Sequence, residues 1–171
     1  TVKHRNKLLA TMTDEVGELV LVDNYDQTQA ISIAESEASE KLQEHARFID
    51  DLESENKLNR SLEFLPDNET ISERLANSKE LTRPELAVLL AYSKMNFYDT
   101  VVATELPDAP YLTKQLEAYF PNILCEKYFA EINKHRLKRE IIATHITNNI
   151  INRMGPTYPA RIIDELGVGY D

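Results

Sequence analysis

The sequence predicts an all-α fold, an irregular helical bundle with one long helix in its N-terminal half. Three observations point there. Apolar residues recur three and four apart along most of the chain, as on one face of a helix. The only strand-like run is Leu19-Val20-Leu21-Val22, and it lies inside a segment that also reads as helix. Helix start and stop signals are well formed, above all Thr82-Arg83-Pro84-Glu85 and Gly155-Pro156.

The elements follow in order. A short helix with Leu8, Leu9 and Met12 inward precedes one over about 14–24. There Thr13 is the expected N-cap, Asp14 and Glu15 favour the first turn, and Val16, Leu19 and Val20 share a face. Asn24-Tyr25-Asp26-Gln27-Thr28 reads as a polar turn. A long helix over about 28–57 comes next, because Ile31, Ala34, Ala38, Leu42, His45, Ile49 and Leu52 form a narrow seam of near-heptad spacing. Residues 35–55 carry eight acids against Lys41 and Arg47, so the opposite face is acidic and solvated. At 1.5 Å per residue this helix would be roughly 45 Å long, enough to span the domain or to project as an arm.

Leu58–Asp67 reads as a linker carrying Leu62, Phe64 and Leu65, and Asn68 is the expected cap of a short helix with Ile71 and Leu75. Thr82-Arg83-Pro84-Glu85 is a capping box. The helix after it, about 83–104, is apolar nearly all round at first (Leu86 to Ala91), which suits the centre of a bundle. Pro107, Pro110 and Pro121 keep the next helices short. Eight of the 13 aromatics fall between 92 and 129 and are expected to share one aromatic core. A helix over about 122–154, with a candidate break near His135, ends at Gly155-Pro156. A last helix, about 159–166, carries Ile162, Ile163 and Leu166. The organisation expected is a helical hairpin or arm over 1–58 and a compact bundle over 59–171.

Composition narrows the function. With 42% hydrophobic residues the 171-residue chain can build a core. A net charge of −10 disfavours nucleic-acid and anionic-membrane partners. No run of 18 apolar residues exists to span a bilayer, and no signal peptide is present. The single cysteine, Cys125, fits a reducing, cytoplasmic location. Four glycines cannot build a phosphate-cradling loop. Gly167-Val168-Gly169 lacks the strand before it, the helix after it and the acid beyond. The start at Thr1 and the stop at Asp171 read as cuts in a longer polypeptide.

Each chemical constellation has a simpler reading. His4, His45, His135 and His145 lack metal-ligand spacing and read as packed or surface side chains. Cys125 has no sequence-level base and reads as helix packing. The basic cluster Lys134–Arg139 could bind phosphate, but flanking Glu131 and Glu140 favour pairing with the acidic face of the long helix. Asn148, Asn149 and Asn152 read as amides joining helices.

Several segments together resemble one family. Arg5-Asn6-Lys7-Leu8-Leu9, Met12-Thr13-Asp14-Glu15-Val16, Leu19-Val20-Leu21 and Asp23-Asn24-Tyr25 with Gln27-Thr28 are similar to the segment just after the nucleotide-binding domain of the large bacterial NAD-specific glutamate dehydrogenases. The run Leu81–Lys94, then Tyr119-Phe120-Pro121, His135-Arg136-Leu137, Arg139–Thr144 and Asn152-Arg153-Met154-Gly155 continue the pattern in order. The resemblance implies the start of a helical C-terminal region, in a parent that oxidises glutamate to 2-oxoglutarate and ammonia with NAD. The family's catalytic and NAD-binding residues lie upstream. No position here matches them, so no catalytic, cofactor or metal residue is assigned, and the fragment alone is expected to be inactive.

The expected role is to buttress the catalytic unit and contribute to a homo-oligomer. Asn24, Tyr25, Gln27 and Thr28 are the candidate contacts with the upstream catalytic domain. Ile31, Ala38, Leu42 and Ile49 are the candidates for helix packing and assembly, so lysine at Leu42 and Ile49 is expected to weaken assembly. Two rivals stand beside this reading. One is a free-standing helical protein–protein interaction module. The other is a small helical hydrolase working through Cys125 or His135.

Overall fold

The chain is described here over residues 1–166 by a computed structural model. Its α-helices are α1 (Val2–Ser36), α2 (Leu42–Ser54), α3 (Asn68–Ala76), α4 (Arg83–Ala103), α5 (Thr113–Glu117), α6 (Asn122–Ile132), α7 (Lys138–Met154) and α8 (Tyr158–Leu166). Two 3₁₀ turns, Leu106–Asp108 and Pro110–Leu112, sit between α4 and α5. No strand occurs among the described residues, so the fold is all-α. Gly167 and Gly169, and the side chain of Ile163, lie outside the described residues.

The long helix is α1, not 28–57. It runs unbroken through the polar stretch 24–28, where no proline or glycine interrupts it and Gln27 Nε2 donates to Asp23 Oδ2 one turn back at 2.8 Å. Thr13 is therefore interior rather than a cap, and its hydroxyl donates to the Leu9 carbonyl. The break falls later, over 37–41. There Ser36 Oγ donates to the Ile33 carbonyl and Ala38 N–H reaches only the Glu35 carbonyl, three residues back. The tightened turn keeps Ala38 and Leu42 on the same buried side, so the apolar period runs straight across it.

The residues gather into two compact units. One combines Thr28–Phe97 with the described residues from Asn149 onward. Its main core joins Ala34, Ala38, Leu42, Ile49 and Leu52 to Ile71, Leu81, Leu86 and Leu89. A second cluster joins Ala30, Leu90 and Ile151. Leu86 and Leu89 face the first cluster and Leu90 the second, which is why the first turns of α4 are apolar on several sides. Leu52, Leu58 and Leu65 share one core, so this unit does not divide at residue 58.

Local chemistry fixes this unit's joints. Glu85 reaches back to the Thr82 N–H at 2.6 Å, as the capping box requires, and Arg74 of α3 grips the same carboxylate with both guanidinium nitrogens at 2.7 and 3.0 Å. Asp67, one residue before the expected Asn68, caps α3 by accepting from Thr70 N–H at 2.8 Å. The 58–67 segment is anchored, not loose. Buried Arg60 donates to Glu53 at 2.8 Å, to Asn68 at 2.7 Å, to the Pro66 carbonyl at 3.1 Å and to Asp50.

The other unit combines Thr1–Gln27 with Tyr98–Asn148. Its core is Leu116, Ile132, Ile141 and Ile142, with Leu112, Phe120, Leu124, Cys125 and Ile146 against it. The expected single aromatic core does not form. Tyr92 and Phe97 pack in the first unit, while Tyr111, Tyr119, Tyr128 and Phe129 are exposed. Helices as short as α5 bury one narrow face each and leave the remaining rings outside. The break near His135 is present, since α6 ends at Ile132 and α7 begins at Lys138. Gly155 ends α7 with φ +88, the left-handed conformation that its missing Cβ permits.

Candidate functional site

The polar and apolar groups of α1 within the Thr1–Gln27 unit form the candidate site. Four half-buried positions tie this helix to its own unit. Glu15 accepts from the backbone N–H of Asn122 at 2.8 Å, placing a carboxylate on the positive end of α6. Asp23 lies close enough to His145 of α7 to favour its protonated form. Burial acts against it and prevails, holding the imidazole below its usual value. The His145 ring stands edge-on to Tyr119 at 6.1 Å between centroids. Leu8 and Met12 are half-buried on the same side.

The four expected interdomain contacts are helical rather than set in a turn, and the division into compact units falls among them. Asn24, Tyr25 and Gln27 belong to one compact unit and Thr28 to the other. Gln27 is half-buried and bound to Asp23, whereas the Tyr25 ring is 63% exposed. The expected assembly seam is internal. Ala38, Leu42 and Ile49 are at most 1% exposed within one core, and Ile31 packs against Ala30, Leu90 and Ile151.

The basic cluster does not pair with a long acidic helix. Its Arg139 instead closes the carbonyl end of α4, donating to the carbonyls of Val102 at 3.0 Å and Thr104 at 2.8 Å and pairing with Asp108. The Cys125 thiol donates to the Glu117 carbonyl at 3.2 Å. Burial, then Glu117 and Glu15, push its pKa up, which opposes thiolate chemistry. His135 Nδ1 accepts from Leu137 N–H at 3.2 Å and its ring lies against Phe120. Both hydrolase candidates are thus engaged in local structure. No group of three or more His, Cys, Asp or Glu arranged to hold a metal occurs among the described residues.

Sequence reasoning missed Glu15 as the cap of α6 and Asp23 as the neighbour of His145, because both contacts join residues more than 100 apart. It also passed over Leu21 and Val22, which are 69% and 60% exposed. Their signal was present. Leu19-Val20-Leu21-Val22 puts apolar side chains on all sides of α1, the pattern of a helix covered on more than one face.

These features define an all-α region whose polar groups chiefly cap and join helices. Residues 78–171, more than half of the chain, match the family model described as glutamate dehydrogenase, C-terminal, and the chain belongs to that family. Residues 1–34 match the model of the bacterial NAD-glutamate dehydrogenase catalytic domain. The chain is 46% identical over 168 residues to the NAD-specific glutamate dehydrogenase of Pseudomonas aeruginosa. It is 44% identical over 167 residues to that of Halomonas elongata and 42% over 170 to that of Mycobacterium tuberculosis. Each match covers 98% of this chain and 10% of the relative, so the chain spans about a tenth of the length of these curated relatives.

Proposed function

We propose that this chain is the segment of an NAD-specific glutamate dehydrogenase in which the catalytic domain passes into the helical C-terminal region. The observation that carries this is the order of the two family matches, catalytic domain over 1–34 and C-terminal region over 78–171, within a tenth of the relatives' length. In the parent reaction glutamate gives a hydride to NAD. Water then hydrolyses the imine, and 2-oxoglutarate and ammonia leave.

The residues here suit packing rather than that chemistry. Gly17 is inside a helix and Gly155 ends one, so neither belongs to a strand-to-helix phosphate loop. In this reading NAD is bound by the upstream domain, and this segment supplies no catalytic residue. Its partners are the catalytic domain of its own chain and further copies of a homo-oligomeric parent, with no nucleic acid and no membrane among them. The place of action is the cytoplasm, in glutamate catabolism. The described helices fit this, none being long and apolar enough to cross a membrane.

The test is an assay of the full-length parent with L-glutamate and NAD, beside the 171-residue chain alone. The expected result is glutamate-dependent NADH formation by the parent, with one 2-oxoglutarate per NADH, and none by the short chain. A full-length parent without glutamate-dependent NADH formation would overturn the proposal.

A further inference from the structure

Leu21, Val22 and Tyr25 form one apolar patch on α1, since residues three and four apart are neighbours on a helix surface. They are 69%, 60% and 63% exposed, so more than half of each side chain's reach is uncovered by this chain. Leu21 and Tyr25 lie well round the helix from the side that carries Leu8, Met12, Glu15 and Asp23, the half-buried positions of the same unit. Four residues before Leu21, on the same strip, stands Gly17. A glycine inside a helix costs roughly 1 kcal/mol relative to alanine. A Cβ built there meets nothing within 4 Å, so packing inside this chain gives no reason for it. A bare backbone beside two large apolar side chains is what a closely approaching second surface requires. Asp14 and Glu18, both exposed, stand in one row with Val22 and make one side of the strip acidic.

We infer that the strip Gly17–Leu21–Tyr25, with Val22, is the face by which α1 docks onto the part of the catalytic domain that precedes it in the parent chain. This rests on the dehydrogenase reading above. The occupant is indicated by the family matches: residues 1–34 belong to the catalytic-domain model, yet they form one helix here, and the chain is about a tenth of its relatives. The residues that follow α1 cover its Glu15 and Asp23 side, and the rest of the domain to which α1 is matched is the natural cover for the strip they leave exposed. The complementary surface is apolar at its centre, shallow enough to meet a helix backbone at Gly17, and basic along the side that meets Asp14 and Glu18.

The experiment uses the full-length parent with the photoreactive residue benzoylphenylalanine placed at Tyr25, and separately at Leu21. After irradiation, cross-linked peptides are identified by mass spectrometry. In the same preparations glutamate-dependent NADH formation is measured. Docking predicts cross-links to peptides N-terminal to Thr1 of the same chain. Cross-links to a second copy, to another protein or to residues C-terminal to Asp171 would overturn it. So would reaction with solvent alone. A second measurement uses Leu21→Cys and Val22→Cys in the parent. Their maleimide labelling should be at least tenfold slower in the native than in the urea-unfolded parent, and equal rates would contradict docking. Loss of the dehydrogenase reading is seen separately, as a parent that makes these cross-links but forms no NADH from glutamate.

Discussion

His45 shows how one side chain reports on packing. It is 1% exposed on α2, and its Nδ1 has no hydrogen-bond partner among the described residues. Burial lowers its pKa to about 4, opposed by Glu44 and Glu37 and assisted by Lys41. The folded imidazole thus takes up a proton less readily than the unfolded one, whose value is 6.5. As pH falls from 6.5 the unfolded state is protonated first, and stability is lost down to about pH 4, where the loss levels off. The full effect is about 3 kcal/mol. Urea unfolding of the chain at pH 7 and pH 4.5 should show a steeper fall for the native sequence than for His45→Gln. Parallel pH profiles would mean that the folded His45 takes up its proton as readily as the unfolded one. Sequence reading placed His45 on the seam correctly. It could not see the unsatisfied nitrogen, which depends on what lies across the core.

Elements show where periodicity informs and where it misleads. The capping box at Thr82 was legible because all its parts lie within four residues. Its second layer, the grip of Arg74 on Glu85, was not, because it depends on α3 lying beside the start of α4. Burial raises the Glu85 pKa, but the hydrogen bonds from Arg74 and Thr82 outweigh it and hold the carboxyl below its usual value. The stabilisation is present above the unfolded pKa and is lost as pH falls through the folded one. A double-mutant cycle of Arg74→Ala and Glu85→Gln at pH 7 should give a coupling of about 1–2 kcal/mol, and less at pH 3. Coupling near zero at pH 7 would contradict the pairing. The extent of the long helix was misread for a related reason. Ala38 and Leu42 keep the seam in register across the break at 37–41, so the pattern carries no mark of it. At 24–28, side-chain bonds replace the expected turn. Leu42 and Ile49 then read as core, and Leu42→Ala should cost about 2–5 kcal/mol in urea unfolding. A cost below 1 kcal/mol would mean that the seam is covered only in an assembly.

At the scale of the whole molecule, the all-α class followed from helical periodicity and from the near absence of strand signals. The family was legible from ordered motifs spread over nearly the full length. The grouping into compact units was not, because it joins segments distant in sequence: Thr1–Gln27 with Tyr98–Asn148, and Thr28–Phe97 with the residues from Asn149. The candidate site was half legible. Tyr25 was singled out for its place in a polar stretch, while its neighbours Leu21 and Val22 were noted only as part of a strand-like run inside a helical segment.

The proposed function makes these 171 residues part of a far longer glutamate dehydrogenase. An antibody raised against this chain should recover the native protein from a lysate of the source organism. Its mass and its glutamate-dependent NADH formation are then measured in the same sample. The expected result is a polypeptide about ten times the length of this chain, by the relatives' proportions, that reduces NAD with glutamate. A polypeptide of about 171 residues without that activity would contradict it and leave an independent helical interaction module in its place.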